Sequence, residues 1–332
     1  MAQGSSPLHD IQVLDGGLAT ELEFHGARID GPLWSAHVLE EDPEMLLAVY
    51  RAYIEAGAQC IASASYQVSR MGYAECGLPP ERADAALLRS VELARQAAAE
   101  FPACRVLVAG SLGPYGAALH NGAEYTGNYT CSYADLVRFH SERIEVFAHA
   151  NGSQDPDLLA FETFPSLDEA QAVCEALAAA PNLRGWFSFS CRDDKTVSHG
   201  EPLRECAALL DACPQILAIA VNCVPPRLVT SLVGEIRSST TKPIVAYPNS
   251  GEGWDAKSRS WTGTTDPEDF GRLAASWFAA GVQIVGGCCR TRPAHIRAVA
   301  SVARAIIPAT QIQTKARRAT ALRMQPSDSY RR

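Results

Sequence analysis

Two adjacent cysteines, Cys288 and Cys289, stand in the run Val285-Gly286-Gly287-Cys288-Cys289-Arg290. They directly follow a short apolar segment, Val282 to Val285, that reads as a buried strand. A second apolar segment, Leu217 to Val221, ends the same way, in Asn222-Cys223. Two buried strands therefore deliver three thiols to one end of one sheet. Three thiolates with an open fourth position make a catalytic zinc site, and a zinc ion so held suits the binding and activation of a substrate sulfur. The plain alternatives are three unrelated thiols, or a disulfide between the neighbours 288 and 289, which closes a strained ring. The glycine pair ahead of them favours the metal, because glycine lets the backbone bend sharply enough to turn both sulfurs to one ion. A structural zinc would want a fourth protein ligand, and no further Cys or His stands at a strand end.

Such a site needs a scaffold that brings distant strand ends together. Apolar, β-branched-rich runs of strand length occur at Ile11–Asp15, Gln59–Ser63, Arg105–Ala109, Leu158–Glu162, Gly185–Ser190, Leu217–Asn222, Ile244–Tyr247 and Val282–Gly286. Stretches with helical spacing alternate with them: Pro43–Ala56, Arg82–Glu100, Tyr133–Ala150, Leu167–Ala179, Pro202–Asp211, Pro226–Arg237, Pro267–Ala280 and Pro293–Ile306. Several open on proline, which is at home in a first helical turn. Near-continuous apolar strands alternating with amphipathic helices indicate a parallel sheet covered on both faces. Eight of each predict an α/β fold, a single-domain (β/α)8 TIM barrel over residues 1–312. Residues 313–332, rich in Arg, Ser, Thr and Gln, carry no sustained apolar face and read as a disordered tail. A doubly wound open sheet is the competing architecture, but Asp15-Gly16-Gly17 lacks the further glycine of the phosphate-binding fingerprint.

In a barrel, chemistry gathers where strands end. The polar residues there are Asp15, Ser65, Tyr66, Gln67, Ser111, Glu162, Thr163, Ser190, Asn222, Cys223, Asn249, Cys288 and Cys289. Glu162 closes the apolar run Leu158-Leu159-Ala160-Phe161, and a buried carboxylate needs a partner; a substrate ammonium group would be one. Asp15 before Gly16-Gly17 either does the same or only caps a turn. Tyr66, Trp254 and Trp261 offer ring faces to a cation, or simply pack their loops. His37, His140, His149 and His295 fall in helical stretches and read as packing or surface residues. His199, in the loop after the fifth strand, remains a candidate.

The chain of 332 residues is 47% hydrophobic, ample for a large core, with a net charge of −8. No basic stripe marks a nucleic-acid partner. No apolar run is long enough to span a bilayer, and the first residues lack the order of a signal peptide. Eleven unevenly spaced cysteines do not form a secreted disulfide framework. A cytoplasmic protein with free thiols is expected, and the absence of a long arm at the C-terminus suggests a monomer.

Asp15-Gly16-Gly17, Ser65-Tyr66-Gln67, Ser111–Gly116, Phe161-Glu162-Thr163, Val221-Asn222-Cys223, Tyr247–Glu252 and Gly286–Arg290 together resemble the zinc-dependent homocysteine S-methyltransferase family. They occur in family order from about residue 10 to residue 305. Ser111–Gly116, Glu124–Gly127 and Pro248–Glu252 look most like the plant and bacterial branch that uses S-methylmethionine. The resemblance implies a TIM barrel with one zinc ion on Cys223, Cys288 and Cys289, and homocysteine's amino group near Asp15 and Glu162. Gly16, Tyr66, Gln67 and Asn222 complete the expected substrate-binding set. One departure is Ser198-His199-Gly200, where the family usually reads Ser-Gly; the extra residue either alters the donor side of the pocket or is a simple loop insertion.

On this reading a sulfonium donor, S-methylmethionine or S-adenosylmethionine, gives its methyl group to the zinc-bound homocysteine thiolate, and no protein side chain is the nucleophile. Free thiols are mostly protonated at neutral pH, and metal coordination removes that proton. A selenocysteine or selenohomocysteine acceptor is the nearest alternative. A TIM-barrel zinc hydrolase would need His and Asp clusters that the strand ends lack. A cobalamin- or folate-dependent methionine synthase would need more domains, and a thiol-rich metal-storage protein would not exchange ligands with homocysteine.

Overall fold

The computed structural model describes residues 7–29, 35–255, 260–262 and 266–306. The tail expected at 313–332 lies outside the described residues. A seven-stranded parallel sheet runs in the order β1 (Cys60–Ala62), β2 (Leu107–Leu112), β3 (Leu158–Phe164), β4 (Gly185–Phe189), β5 (Ile216–Asn222), β6 (Ile244–Tyr247) and, after a small antiparallel hairpin of β7 (Gly253–Asp255) and β8 (Ser260–Thr262), β9 (Ile284–Val285). Helices cross between neighbouring strands, as parallel connections require. Val13 bridges to Val285 and Leu14 to Cys60, both in parallel. The segment around Val13-Leu14 therefore lies between the last and the first strand of the curled sheet. The fold is α/β and TIM-barrel-like.

The expected first strand, Ile11–Asp15, is reduced to those two bridging residues. The side-chain oxygen of Gln59 accepts from the backbone N–H of Gln12 (2.8 Å) and Val13 (3.2 Å), and so competes with the ladder. The strand expected at Arg105–Ala109 sits further along, at Leu107–Leu112, buried throughout. Arg105 is exposed, and Gly110 and Ser111 belong to the strand although they end the apolar run. The helix expected from Pro226 divides into a 3-10 turn, Pro226–Leu228, and an α-helix, Val229–Arg237.

Strand residues alternate between two apolar clusters. Ile61, Val108, Leu159, Phe161, Phe187, Ile219 and Val221 face the helices. Leu107, Ala109, Leu158, Ala160, Trp186, Ala218, Ala220, Val245 and Tyr247 fill the inside of the curled sheet. Two steps on from Ala109, Ala160 and Ala220 stand Ser111, Glu162 and Asn222, so the same alternation that builds the core sends polar groups to its carboxyl-terminal mouth. Among the described residues, no helix is long and apolar enough to cross a membrane.

Candidate metal centre and substrate pocket

A cavity of about 960 Å³ opens at that mouth, within the range that holds small-molecule ligands. Cys223, Cys288 and Cys289 form part of its wall. Their sulfurs lie within 4.8 Å of one another, and Cys223 Sγ is 3.5 Å from Cys289 Sγ. Tetrahedral zinc with Zn–S bonds of about 2.3 Å requires sulfurs roughly 3.8 Å apart, so the three thiols fit that ion. β5 and β9 are next neighbours but one across β6, which is how sulfurs 65 and more positions apart in sequence meet. Hydrogen bonds from Cys288 and Cys289 pull the Cys223 thiol below its ordinary pKa, and Cys223 in turn pushes the other two up. The cluster is an anion-forming unit even before a cation joins it.

The backbone around the thiols is bent to a degree that side chains rarely tolerate. Among the described residues, four other than glycine adopt left-handed φ: His120 (53°), Thr163 (67°), Cys223 (53°) and Arg290 (66°). All four line this cavity, and strain of this kind clusters at functional sites. Glycine is required at Gly17, where an added Cβ would lie 2.5 Å from the Cys288 carbonyl oxygen. The loop is held by Cys288 N donating to Pro248 O (2.8 Å), Gly287 N to Asp15 O (3.0 Å) and Arg290 N to Thr20 Oγ1 (2.9 Å).

Asp15, Gly16, Tyr66, Glu162 and Asn222 join the thiols at the cavity. Asp15 Oδ2 accepts from Ala62 N (2.8 Å). Glu162 Oε2 accepts from Ser111 Oγ (2.6 Å) and is also bonded by Tyr247. Burial pushes the Glu162 carboxyl up to about 7, and pushes Asp15 well above its usual range, with the charge of Glu162 adding to the effect. Neither carboxyl has an ion-pair partner among the described residues. Two half-enclosed acids without a cation are a receptor for one. The Tyr66 hydroxyl bonds to Thr163, and Gly113 packs on the Tyr66 ring.

Asn222 acts as a bracket. Its Oδ1 accepts from Thr163 N (2.9 Å) and Ser188 Oγ (2.6 Å), and its Nδ2 donates to Thr163 Oγ1 (2.8 Å). Nδ2 also lies 3.8 Å from the Cys288 sulfur, so its support reaches the loop after β9 as well as the Cys223 loop. Gln67 is placed apart: its Nε2 donates to Ala117 O (3.2 Å), and it does not line the cavity. His199 pairs with Glu201 (2.8 Å) and packs against Gly127, away from the thiols. Trp254 and Trp261 are backbone register partners in the β7–β8 hairpin.

Several residues of the site escaped the sequence reading. Trp186 and Tyr247 form part of the cavity wall, with Trp186 Nε1 donating to Tyr247 Oη (3.1 Å); period-two alternation along their strands was the signal. The Tyr125 hydroxyl is 3.2 Å from Cys223 Sγ, at the end of a long loop with no periodicity. That loop is braced by a buried cluster on the helix side. Glu169 accepts from Tyr115 N (2.5 Å) and Tyr129 Oη (2.9 Å) and pairs with His140 (3.0 Å), while Arg143 donates to Gly113 O (2.7 Å). His140, expected to be a packing residue, is thus fully buried in a charged network.

The sequence model described as homocysteine S-methyltransferase matches residues 12–303. A homocysteine S-methyltransferase of Escherichia coli is 45% identical over 298 residues, covering 87% of this chain and 94% of its own. A selenocysteine Se-methyltransferase of Brassica oleracea is 41% identical over 305 residues, covering 86% and 89%. The crystal structure of an Escherichia coli homocysteine methyltransferase in its metallated form superposes with a TM-score of 0.77 at 41% identity, covering 88% of this chain and 96% of that one.

Proposed function

From a chain that belongs to the homocysteine S-methyltransferase family, and so methylates homocysteine to methionine, we propose the following assignment of roles. One zinc ion per chain is held by Cys223, Cys288 and Cys289. Bound there, zinc would keep the acceptor sulfur in its thiolate form at neutral pH. Asp15 and Glu162 receive the ammonium group of homocysteine, with Ser111 and Tyr247 fixing Glu162. Gly16 and Tyr66 shape the wall around the acceptor, and Asn222 holds the strand ends in register. The observation that carries this reading is the meeting, in one cavity, of three thiols and two carboxyls that have no ion-pair partner among the described residues.

The donor is a sulfonium, S-methylmethionine in preference to S-adenosylmethionine. The carbon–sulfur bond of the sulfonium breaks, its electron pair returns to the donor sulfur, and a lone pair of the acceptor sulfur forms the new bond. No side chain of the protein is a nucleophile and none needs to take a proton at that moment. Because the donor loses its charge in the step, residues near the sulfonium serve by aligning it rather than by neutralising it. A selenol acceptor is a second reading, favoured by the likeness to the Brassica enzyme.

We also read the Val13-Leu14 segment as the eighth stave of a closed barrel spanning 1–312. The protein is read as a cytoplasmic monomer that meets small molecules and neither nucleic acid nor membrane. The test of function is a donor panel: zinc-loaded enzyme, homocysteine, and S-methylmethionine or S-adenosylmethionine, followed by methionine release. Faster turnover with S-methylmethionine is expected. No methionine from either donor would overturn the assignment.

A further inference from the structure

Besides the thiols and the Asp15–Glu162 pair, a second pair of charges lines the cavity. Glu23 and Arg290 both line the same cavity, and the guanidinium of Arg290 acts on the Glu23 carboxyl. Arg290 follows Cys289 directly in sequence. Its backbone is locked in the left-handed region by the bond to Thr20 Oγ1. Its Nε donates to Glu252 Oε2 at 2.6 Å, which restrains the side chain and leaves the terminal guanidinium nitrogens without a hydrogen bond among the described residues. A restrained guanidinium with open terminal N–H groups is a carboxylate receptor. A carboxylate beside it is an ammonium receptor.

We infer that Arg290 and Glu23 bind the α-aminocarboxylate end of the methyl donor, Arg290 its carboxylate and Glu23 its ammonium. The inference rests on the donor's being a sulfonium, as proposed above. With homocysteine's ammonium placed at Asp15 and Glu162, this second pair is left for the second substrate. It grips the part of the donor whose charges do not change during transfer. It therefore adds affinity and aim without opposing the loss of charge at sulfur. The ligand class is a sulfonium amino acid, and both S-methylmethionine and S-adenosylmethionine carry that end. An alkyl sulfonium without it should be a poor donor.

The test uses zinc-loaded full-length enzyme with three donors: S-methylmethionine, S-adenosylmethionine and dimethylpropylsulfonium. Zinc content is measured for every variant. Arg290→Met should raise the KM of both amino-acid donors between about 10- and 100-fold. The homocysteine KM should stay within about threefold. Glu23→Gln should raise donor KM in the same sense by a smaller factor. In both variants the preference for S-methylmethionine over the alkyl sulfonium should collapse. If Arg290→Met loses zinc, Glu23→Gln and Arg290→Lys decide the matter. An effect falling equally on homocysteine KM, or a wild-type enzyme that uses the alkyl sulfonium as well as the amino-acid donors, would overturn the inference. A wild-type enzyme inert toward every sulfonium would instead remove the donor reading beneath it.

Discussion

Replacing Glu162 by Gln should make the protein more stable and its catalysis worse. Burial raises the Glu162 carboxyl from 4.5 to about 7. The folded state therefore holds that proton more tightly than the unfolded chain does. The stability this gives is fully present below pH 4.5 and is lost as pH rises through about 7. Above that point the folded protein carries a penalty of up to about 3 kcal/mol. Glutamine still accepts from Ser111 and never ionises. At pH 8 the variant should melt higher by up to about 5 °C for a chain of this size, and the gain should vanish near pH 5. For catalysis, on the roles proposed above, the lost charge removes one of the two carboxylates assigned to the acceptor's ammonium. The homocysteine KM should rise about 30- to 100-fold, with the donor KM within about threefold. In the wild type, kcat/KM for homocysteine should climb as pH passes through about 7, and the variant should lose that limb. Melting curves of the two proteins at pH 5 and pH 8, and a two-substrate kinetic matrix, measure both effects. An identical Tm difference at the two pH values would refute the burial argument, and equal KM changes for both substrates would refute the ammonium role.

Cys288→Ser should release zinc and abolish transfer, so full occupancy by metal analysis would count against the thiol assignment. Removing zinc with a chelator should stop turnover yet leave the far-UV circular dichroism unchanged, because the sheet and its apolar layers hold the fold without the metal. Gly17→Ala forces a methyl group against the Cys288 carbonyl and should weaken zinc affinity about tenfold or more by displacing that loop, as read from competition with a chromogenic chelator. Glu169→Ala strips three partners from a buried network and should cost about 3–5 kcal/mol, seen as a lower urea midpoint. Because the same network anchors the loop bearing Tyr125, turnover should fall in the folded fraction as well.

The three thiols were legible in the chain because each ends an apolar run, and the end of a buried strand is a strong local signal. Glu162 was legible for the same reason, as a charge at the end of Leu158–Phe161. The alternation of strand and helix was also readable, since each crossover helix shows its own period. Strand edges were less so: Gly110 and Ser111 continue β2 because both of its faces are covered, something no apolar count reports.

The chain alone therefore determined which residue types stand at the strand ends and what ion three of them suit. Only the tertiary structure decided which of those ends face one another. An extra residue in β3, seen as a register shift between Phe161 and Phe164, bends the strand at Glu162 and Thr163, and bulges depend on the partner strand rather than on local pattern. Gln67 followed a strand just as Tyr66 did, yet it turns to Ala117 while Tyr66 reaches the cavity. Tyr125 and the buried Glu169 network come from a loop and two helices whose meeting is set by packing over long sequence separations, and no local period encodes that.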